Sequence, residues 1–216
     1  MKKLIKDYWN KYYNFHGNND KPSSFAIFIS KKFINKNTTL LDVGSGDGRD
    51  AFHHRKKAKS VLGIDLSDIV IKQNKIKAKR LELNNIIFKN LSSSDLSKVN
   101  YKKINFIYAR FFLHAINETS ENIFLKNISK NFQNDTLIAL EFRTIKDVLM
   151  KKGKKISKYE RITDHYRRFI DPNNFQNKLE KLNFKILYKK LGINLSKSSN
   201  DNPHLCRIIF SKVNKL

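Results

Sequence analysis

The sequence predicts an α/β fold: a doubly wound sheet of seven strands, mostly parallel, with the last strand antiparallel. Three observations carry this expectation. Short apolar runs alternate with longer amphipathic ones along the chain, the rhythm of strands separated by helices. The stretch Leu40–Asp50, "LLDVGSGDGRD", sets three glycines at alternate positions between an apolar run and a helix-like segment, which reads as strand, tight turn and helix. The final two apolar runs are joined directly by a polar loop containing "SSNDNP", and such a link favours an antiparallel pair.

Each element has its own signal. Thr39–Gly44, Ser60–Asp65, Asn85–Asn90, Ile104–Ala109 and Thr136–Phe142 are apolar runs of strand length and read as buried strands. A helix over Asp50–Ala58 follows the glycine turn. A second, Ser67–Leu83, starts on a serine suited to capping and carries Ile69, Ile71 and Ile76 as its apolar positions. A third, Glu118–Phe132, sets Ile123, Phe124, Ile128 and Phe132 on one face. Thr144–Phe169 has many charges and few strand signals, and is expected to form helices or a cover over the sheet. Asp171–Phe184 opens with an aspartate cap and Pro172 at the first helical position. Phe184–Gly192 and His204–Lys212 complete the seven strands.

Length and composition bound the class. A chain of 216 residues, 40% of them hydrophobic, suits one domain with a substantial core. The single cysteine, Cys206, builds neither a disulfide framework nor a cysteine-based zinc site, so no metal is expected. The N-terminus lacks the apolar core of a signal peptide, and no run approaches the roughly 20 residues that span a bilayer. A cytoplasmic protein with no membrane partner is the expectation. The net charge of +25 raises nucleic-acid binding. However, most of the 44 basic residues are lysines scattered along the chain, and the densest clusters, Arg55–Lys59 and Met150–Lys155, are short. There is no RNA-recognition consensus and no zinc-finger spacing, so nucleic acid stays open as a partner without being favoured. The charge does focus anions at any cleft.

The glycine turn narrows the ligand. The dinucleotide fingerprint needs glycines at G-x-G-x-x-G. Gly44 and Gly46 supply the first two, but the third position is Arg49, too large for that packing. The Gly-Lys-Ser/Thr ending of a phosphate-binding P-loop is absent. What remains is Asp42 followed by Gly44, Gly46 and Gly48. Asp65 ends the second strand one helix later, where a carboxylate can accept both ribose hydroxyls of an adenosine ligand. The ligand therefore has a ribose but need not have a pyrophosphate. Asp42 suits a cationic amino-acid tail.

At this point the sequence resembles the class I S-adenosylmethionine-dependent methyltransferases. "LLDVGSGDGRD", "VLGIDLS" and "FIYARFFLHAI" match three of that family's motifs in order, and the seven-strand tally with its antiparallel final pair matches the family's Rossmann-like sheet. The "GDGRD" ending looks like the branch of thiopurine- and tellurite-type enzymes, which act on small molecules. The resemblance implies that Gly44, Gly46 and Gly48 line the methionine part of S-adenosylmethionine, Asp65 holds its ribose and Leu66 packs on its adenine. Asp42, Arg49, Ser92 and Arg110 complete the expected cofactor contacts. The acid usual on the adenine side is missing from its place; "NLSSSDL" offers Asn90, Ser92 or Ser94 there, with Asp95 as a late contact or a helix cap. The implied parts are a helical lid over residues 1–36, a cofactor core over 37–143, a substrate cover over 144–170 and a helix with the strand pair over 171–216.

The acceptor side is less defined. Ligands of a parallel sheet bind at the carboxyl ends of its strands, which points to Arg110 and His114 after the fourth strand and to Glu141 and Arg143 at the end of the fifth. His114, Glu141 and His165 are the candidate catalytic groups. His114 is also read as a structural histidine buried beneath the cofactor, His165 as part of a solvated face, and Glu141 as a partner of Arg143. Arg143, Arg167 and Arg168 could form a fork for phosphate or carboxylate, or ordinary salt bridges to Asp164, Asp171 or Glu160. Tyr12, Tyr13, Tyr166 and His204 complete the candidate substrate set. Methyl transfer to O or N of a small anionic metabolite or glycan precursor is the expectation, in a monomer or homodimer. An RNA or protein acceptor is the alternative.

Overall fold

The computed structural model describes residues 2–15, 20–198 and 201–213. Met1 and residues 16–19 of the N-terminal segment, Ser199 and Asn200 of the "SSNDNP" loop, and residues 214–216 lie outside the described residues. The chain packs as two compact units, Met1–Tyr108 and Ala109–Leu216.

The first unit runs α1 (Lys2–Phe15), α2 (Ser24–Lys32), β1 (Thr39–Val43), α3 (Arg49–His54), β2 (Ser60–Asp65), α4 (Asp68–Arg80), β3 (Ile86–Asn90) and the start of β4 (Phe106–Arg110). β1 is parallel to β2 and to β4, and β2 is parallel to β3. Leu40, Leu41 and Val43 of β1 are buried, as are Phe25, Ala26 and Ile29 of α2. Four of the nine α2 residues, Phe25, Ala26, Ile29 and Ser30, are thus buried in the core. Its N-cap, Ser23, accepts from the Ala26 N–H at 3.0 Å. The same residue donates from its N–H and its hydroxyl to buried Asp50 of α3, both at 2.7 Å, and Asp50 also accepts from the Tyr108 hydroxyl at 2.8 Å. One buried carboxylate therefore ties α2, α3 and β4 together.

The second unit holds the end of β4, then α5 (Glu118–Asn131), β5 (Leu137–Arg143), β6 (Lys154–Lys155), β7 (Glu160–Ile162), β8 (Tyr166–Arg168), α6 (Pro172–Lys181), β9 (Phe184–Gly192) and β10 (Leu205–Lys212). β10 lies antiparallel to both β5 and β9, pairing Cys206 with Phe142 and with Leu191. The seven long strands follow the order β3-β2-β1-β4-β5-β10-β9, the expected doubly wound, mostly parallel sheet with the last strand antiparallel.

Local details depart from expectation. Residues 144–169 form no α-helix: one 3₁₀ turn, Val148–Lys151, leads into the antiparallel sheet β6-β7-β8. Its strands have two or three residues each, too short for alternation to register. α4 buries Val70, Ile71, Asn74 and Ala78, while Ile76 is 59% exposed. α5 buries Leu125 and leaves Ile123 at 41% exposure. Asp95 sits inside the 3₁₀ turn Ser93–Lys98, and Ser92 is the residue that caps it.

Candidate active site

In the first unit, Gly44, Gly46 and Gly48 follow β1 with left-handed φ angles of 72°, 50° and 74°. A Cβ on Gly46 would lie 2.5 Å from the Tyr13 hydroxyl, and one on Gly48 would lie 2.9 Å from Asn74 Oδ1 and 3.0 Å from Phe52. The Gly44 and Ser45 N–H groups both donate to the Ile64 carbonyl, at 2.9 and 3.0 Å, fastening the loop to β2. Asp65 then accepts from the Gly46 N–H at 3.0 Å and the Ser67 N–H at 2.9 Å. A carboxylate offers about four acceptor positions, so these donors do not exhaust it. Asn90 donates to the Asp65 and Leu66 carbonyls, at 3.1 and 2.8 Å, and fixes that strand end. Arg49 opens α3, its N–H on Asp47 Oδ1 at 3.3 Å.

The loop is acidic within a chain of net charge +25. Asp42 is 2% exposed and its Oδ2 has no partner. Burial, then Asp50, Asp65 and Asp47, pushes its carboxyl well above the usual carboxylate range. Burial raises Asp65 too, against the backbone donors that hold it down. An orphaned, buried carboxylate oxygen among like charges suits a cationic group. Residues with this donor set fit a ligand that combines a ribose with a positive charge.

Helix α1 docks through Asn10, whose amide donates to Asp68 at 2.8 Å and accepts from the Ser67 hydroxyl at 2.7 Å. Tyr12 and Tyr13 meet edge to face at 5.2 Å. The Tyr13 phenol is held protonated, first by burial and then by Asp65 and Asp47. Asn74, fully buried on α4, donates to the Gly46 carbonyl at 2.7 Å while its Oδ1 has no partner.

In the second unit, Phe111 directly follows β4 with φ of 56°, a conformation that bulky residues rarely adopt and that concentrates at functional sites. The Arg110 guanidinium lies 3.9 Å from its ring centroid, that of Arg143 5.6 Å, and the His114 ring 5.1 Å. Glu141 is engaged at both oxygens: Oε1 accepts from Arg110 Nε at 3.0 Å and Ser196 Oγ at 2.9 Å, and Oε2 from Arg207 Nε at 2.6 Å. Its partners are therefore Arg110 and Arg207, not Arg143. Arg143 instead donates to Asp147 at 2.9 Å and pairs with Asp201. His204 bonds the Thr144 hydroxyl at 2.7 Å and donates its N–H to Asp147 at 3.1 Å. His165 bonds Asp164 at 2.8 Å, and Arg167 pairs with the same aspartate.

His114 is 5% exposed, and its Nδ1 has no partner. Burial, then Arg143, His165, Arg167 and Arg110, holds its pKa well below the ordinary value, so the ring is neutral. Nε of Arg143 and of Arg167 also lack partners. Arg168 braces the His114 turn, donating to the Ile116 carbonyl at 3.0 Å and the Leu113 carbonyl at 3.5 Å while paired with Glu121. Tyr166 donates to Glu160. Neither Arg168 nor Tyr166 is a free hand for a ligand.

The methyltransferase domain family matches residues 34–192. The chain belongs to that family. Solved structures share the fold. An S-adenosylmethionine-dependent methyltransferase from Methanosarcina mazei is 16% identical, covers 87% of this chain and 98% of its own, and superposes with a TM-score of 0.74. One from Anabaena variabilis is 16% identical over 98% of this chain and 95% of its own, with a TM-score of 0.72. The [4+2]-cyclase SpnF is 13% identical over 98% of this chain and 93% of its own, with a TM-score of 0.71. No curated protein sequence matches significantly. The cyclase shows that fold alone does not fix chemistry.

For a methyltransferase-domain chain, the loop of the first unit joins the sequence-predicted Asp42, Gly44, Gly46, Gly48 and Asp65, with Tyr13 on top. The second unit joins Arg110, His114, Arg143, His165 and Arg167. Ser92 caps its own 3₁₀ turn, accepting from the Ser94 N–H at 3.4 Å. Asn74 and Phe111 were missed. Asn74 had a faint signal, a polar residue at the spacing of Val70, Ile71 and Ala78; a positive φ at phenylalanine has none.

Proposed function

We propose that the protein is an S-adenosylmethionine-dependent methyltransferase of the cytoplasm, acting on O or N of a small anionic acceptor: a phosphorylated or carboxylate metabolite or a glycan precursor. The observation that carries the cofactor assignment is the orphaned Asp42 oxygen in an acid-rich glycine loop closed by Asp65. Asp65 would hold the ribose hydroxyls, the amides of the loop the methionine carboxylate, and Asp42 a positive group. Leu66 and Ser92 are the proposed adenine-side contacts, and Arg49 is a further proposed contact of the cofactor. When bound, S-adenosylmethionine supplies a methyl group activated by a sulfonium.

The acceptor is assigned to the second unit. Unpartnered Nε–H groups on Arg143 and Arg167 suit a carboxylate or phosphate. His114, with its unpartnered Nδ1, is the proposed base for a hydroxyl acceptor, and an anionic acceptor beside the arginines would offset the cations that hold its pKa down. Glu141 anchors Arg110 and Arg207, and His165 and His204 orient neighbouring groups. The "GDGRD" ending supports a likeness to the thiopurine- and tellurite-type small-molecule branch. An RNA or protein acceptor is the second reading, and the net charge of +25 is what favours it.

Calorimetry with S-adenosylmethionine and a methyl-transfer screen over phosphorylated sugars, phosphobases and small acids test this reading. Absence of cofactor binding sinks the first half; transfer only to RNA or protein sinks the second. A proton count sharpens the test. Asp42 and Asp65 have raised pKa values in the free protein. A cationic ligand favours their ionised forms, so binding should release protons. Affinity should climb as pH rises through those pKa values and level off above them. Calorimetry in buffers of different ionisation enthalpy reads the release, and a flat pH profile with no release would remove Asp42 from the site.

Asn74→Ala should weaken S-adenosylmethionine binding roughly tenfold, since one buried hydrogen bond is worth about 1.5 kcal/mol. Binding equal to the parent's would show that the loop holds its shape without Asn74.

A further inference from the structure

The site leaves one singled-out motif unused, the lysine cluster after β5. Lys151, Lys152, Lys154, Lys155 and Lys158 are all exposed, and no acidic residue occurs from Val148 to Tyr159. None of the five makes an ion pair with a described residue; Lys158 lies over the Tyr159 ring at 5.1 Å. Aliphatic side chains share this surface: Val148 is 62% exposed, Ile156 46% and Ile162 42%. An open groove of about 360 Å³ adjoins them, lined by Ile145, Val148 and Met150 with Lys146, Asp147 and Lys151. The Asp147 carboxylate is engaged by Arg143 and by the His204 and Leu149 N–H groups, so the cations dominate the rim.

The surface is held in shape. Gly153 turns at φ of 77°, with the Ile162 carbonyl 2.3 Å from where a Cβ would sit. Buried Arg161 donates to the carbonyls of Met150, Ser157 and Glu160, each at 2.8 Å. A guanidinium thus staples the loop from beneath, with backbone oxygens as its acceptors.

We propose that residues 145–162 form a docking surface for an anionic lipid bilayer, with the lysines on the headgroups and the exposed aliphatic side chains at the acyl boundary. Charge complementarity selects an anionic partner. The aliphatic residues select lipid over nucleic acid. A phosphodiester chain offers them nothing, and nucleic-acid surfaces use arginine forks and stacking aromatics, whereas this loop has lysines and its one ring lies under Lys158. The expectation of no membrane partner rested on the lack of a spanning segment, and peripheral docking needs none. Such docking would bring the enzyme to acceptors carried on lipids.

Co-sedimentation with vesicles of phosphatidylcholine, with and without about 30% phosphatidylglycerol, tests the surface at low and high salt. The parent should bind the anionic vesicles at least about tenfold more tightly than the neutral ones, with affinity falling as salt rises. K151E/K152E/K154E/K155E should abolish binding. V148S/I156S should reduce it several-fold and leave a residue that is more salt-sensitive. Both variants should keep the parent's unfolding curve and S-adenosylmethionine affinity, because the changed side chains are exposed. Equal binding to both vesicles, or variants that bind like the parent, would overturn the proposal. So would total RNA bound more tightly than anionic vesicles at the same salt and lost in the lysine variant.

Discussion

Glu141→Ala is expected to lower the unfolding free energy by about 3–5 kcal/mol, the usual result of removing one partner from a buried charge pair. The carboxylate has 0% side-chain exposure and accepts from Arg110, Arg207 and Ser196. Arg207 sits on β10 opposite Glu141 of β5, in register, so the pair clamps the two strands where their polarity reverses. Truncation leaves Arg110 and Arg207, 14% and 9% exposed in their side chains, without their carboxylate. Arg207 keeps its bond to the Leu195 carbonyl, at 2.6 Å, and a longer one to Ser196. At about 2–4 °C per kcal/mol for a chain of this size, the melting temperature should fall by roughly 6–20 °C. Glu141→Ala combined with Arg207→Met should recover part of the loss, because the second change removes the stranded charge and fills its space. Thermal and urea unfolding by circular dichroism would read both. An alanine variant within about 1 kcal/mol of the parent would mean that water satisfies both guanidiniums and that the cluster is wetter than its burial implies.

Where the chemistry is local, the sequence could be read directly. The glycine turn, its departure from the dinucleotide fingerprint at Arg49 and the acid at Asp65 lie within 26 residues of one another and obey backbone rules that need no tertiary information. The limits of β2 and β9 and the capping of α4 and α6 by Ser67 and Asp171 were legible for the same reason. Partner choice among charged residues was not. Arg143 and Glu141 lie two apart on one strand, yet the first turns to Asp147 and Asp201 and the second to Arg110 and Arg207. Those partners are up to 66 positions away, and no spacing encodes them. The β6-β7-β8 sheet was hidden by strands too short to alternate. It is held by Arg161, a charge that sequence patterns assign to the surface.

Asp65→Ala should weaken S-adenosylmethionine binding by about 100-fold, near 3 kcal/mol, if the carboxylate accepts two ribose hydroxyls; hydrogen bonds to charged groups are worth about 1.5–3 kcal/mol each. The same change also frees the Gly46 and Ser67 N–H groups that Asp65 now accepts from, at 3.0 and 2.9 Å. A loss of affinity by itself would therefore not distinguish a lost ribose contact from a slackened loop. A cycle with a 2′-deoxy analogue of the demethylated product separates them. The parent should bind the deoxy analogue at least about tenfold more weakly than the product, while Asp65→Ala should bind both equally, because a missing hydroxyl cannot be felt by a missing carboxylate. If the variant retains the full discrimination, the ribose is held elsewhere and Asp65 acts only by shaping the loop through Gly46. Asp42→Asn gives the complementary comparison. It removes a carboxylate buried beside the loop without touching those two backbone donors, so it should lower affinity for the cofactor and for its product alike, since both carry the cationic amino-acid tail, and should leave the 2′-hydroxyl discrimination intact. Opposite patterns in the two variants would assign the ribose to Asp65 and the charge to Asp42, from one set of titrations.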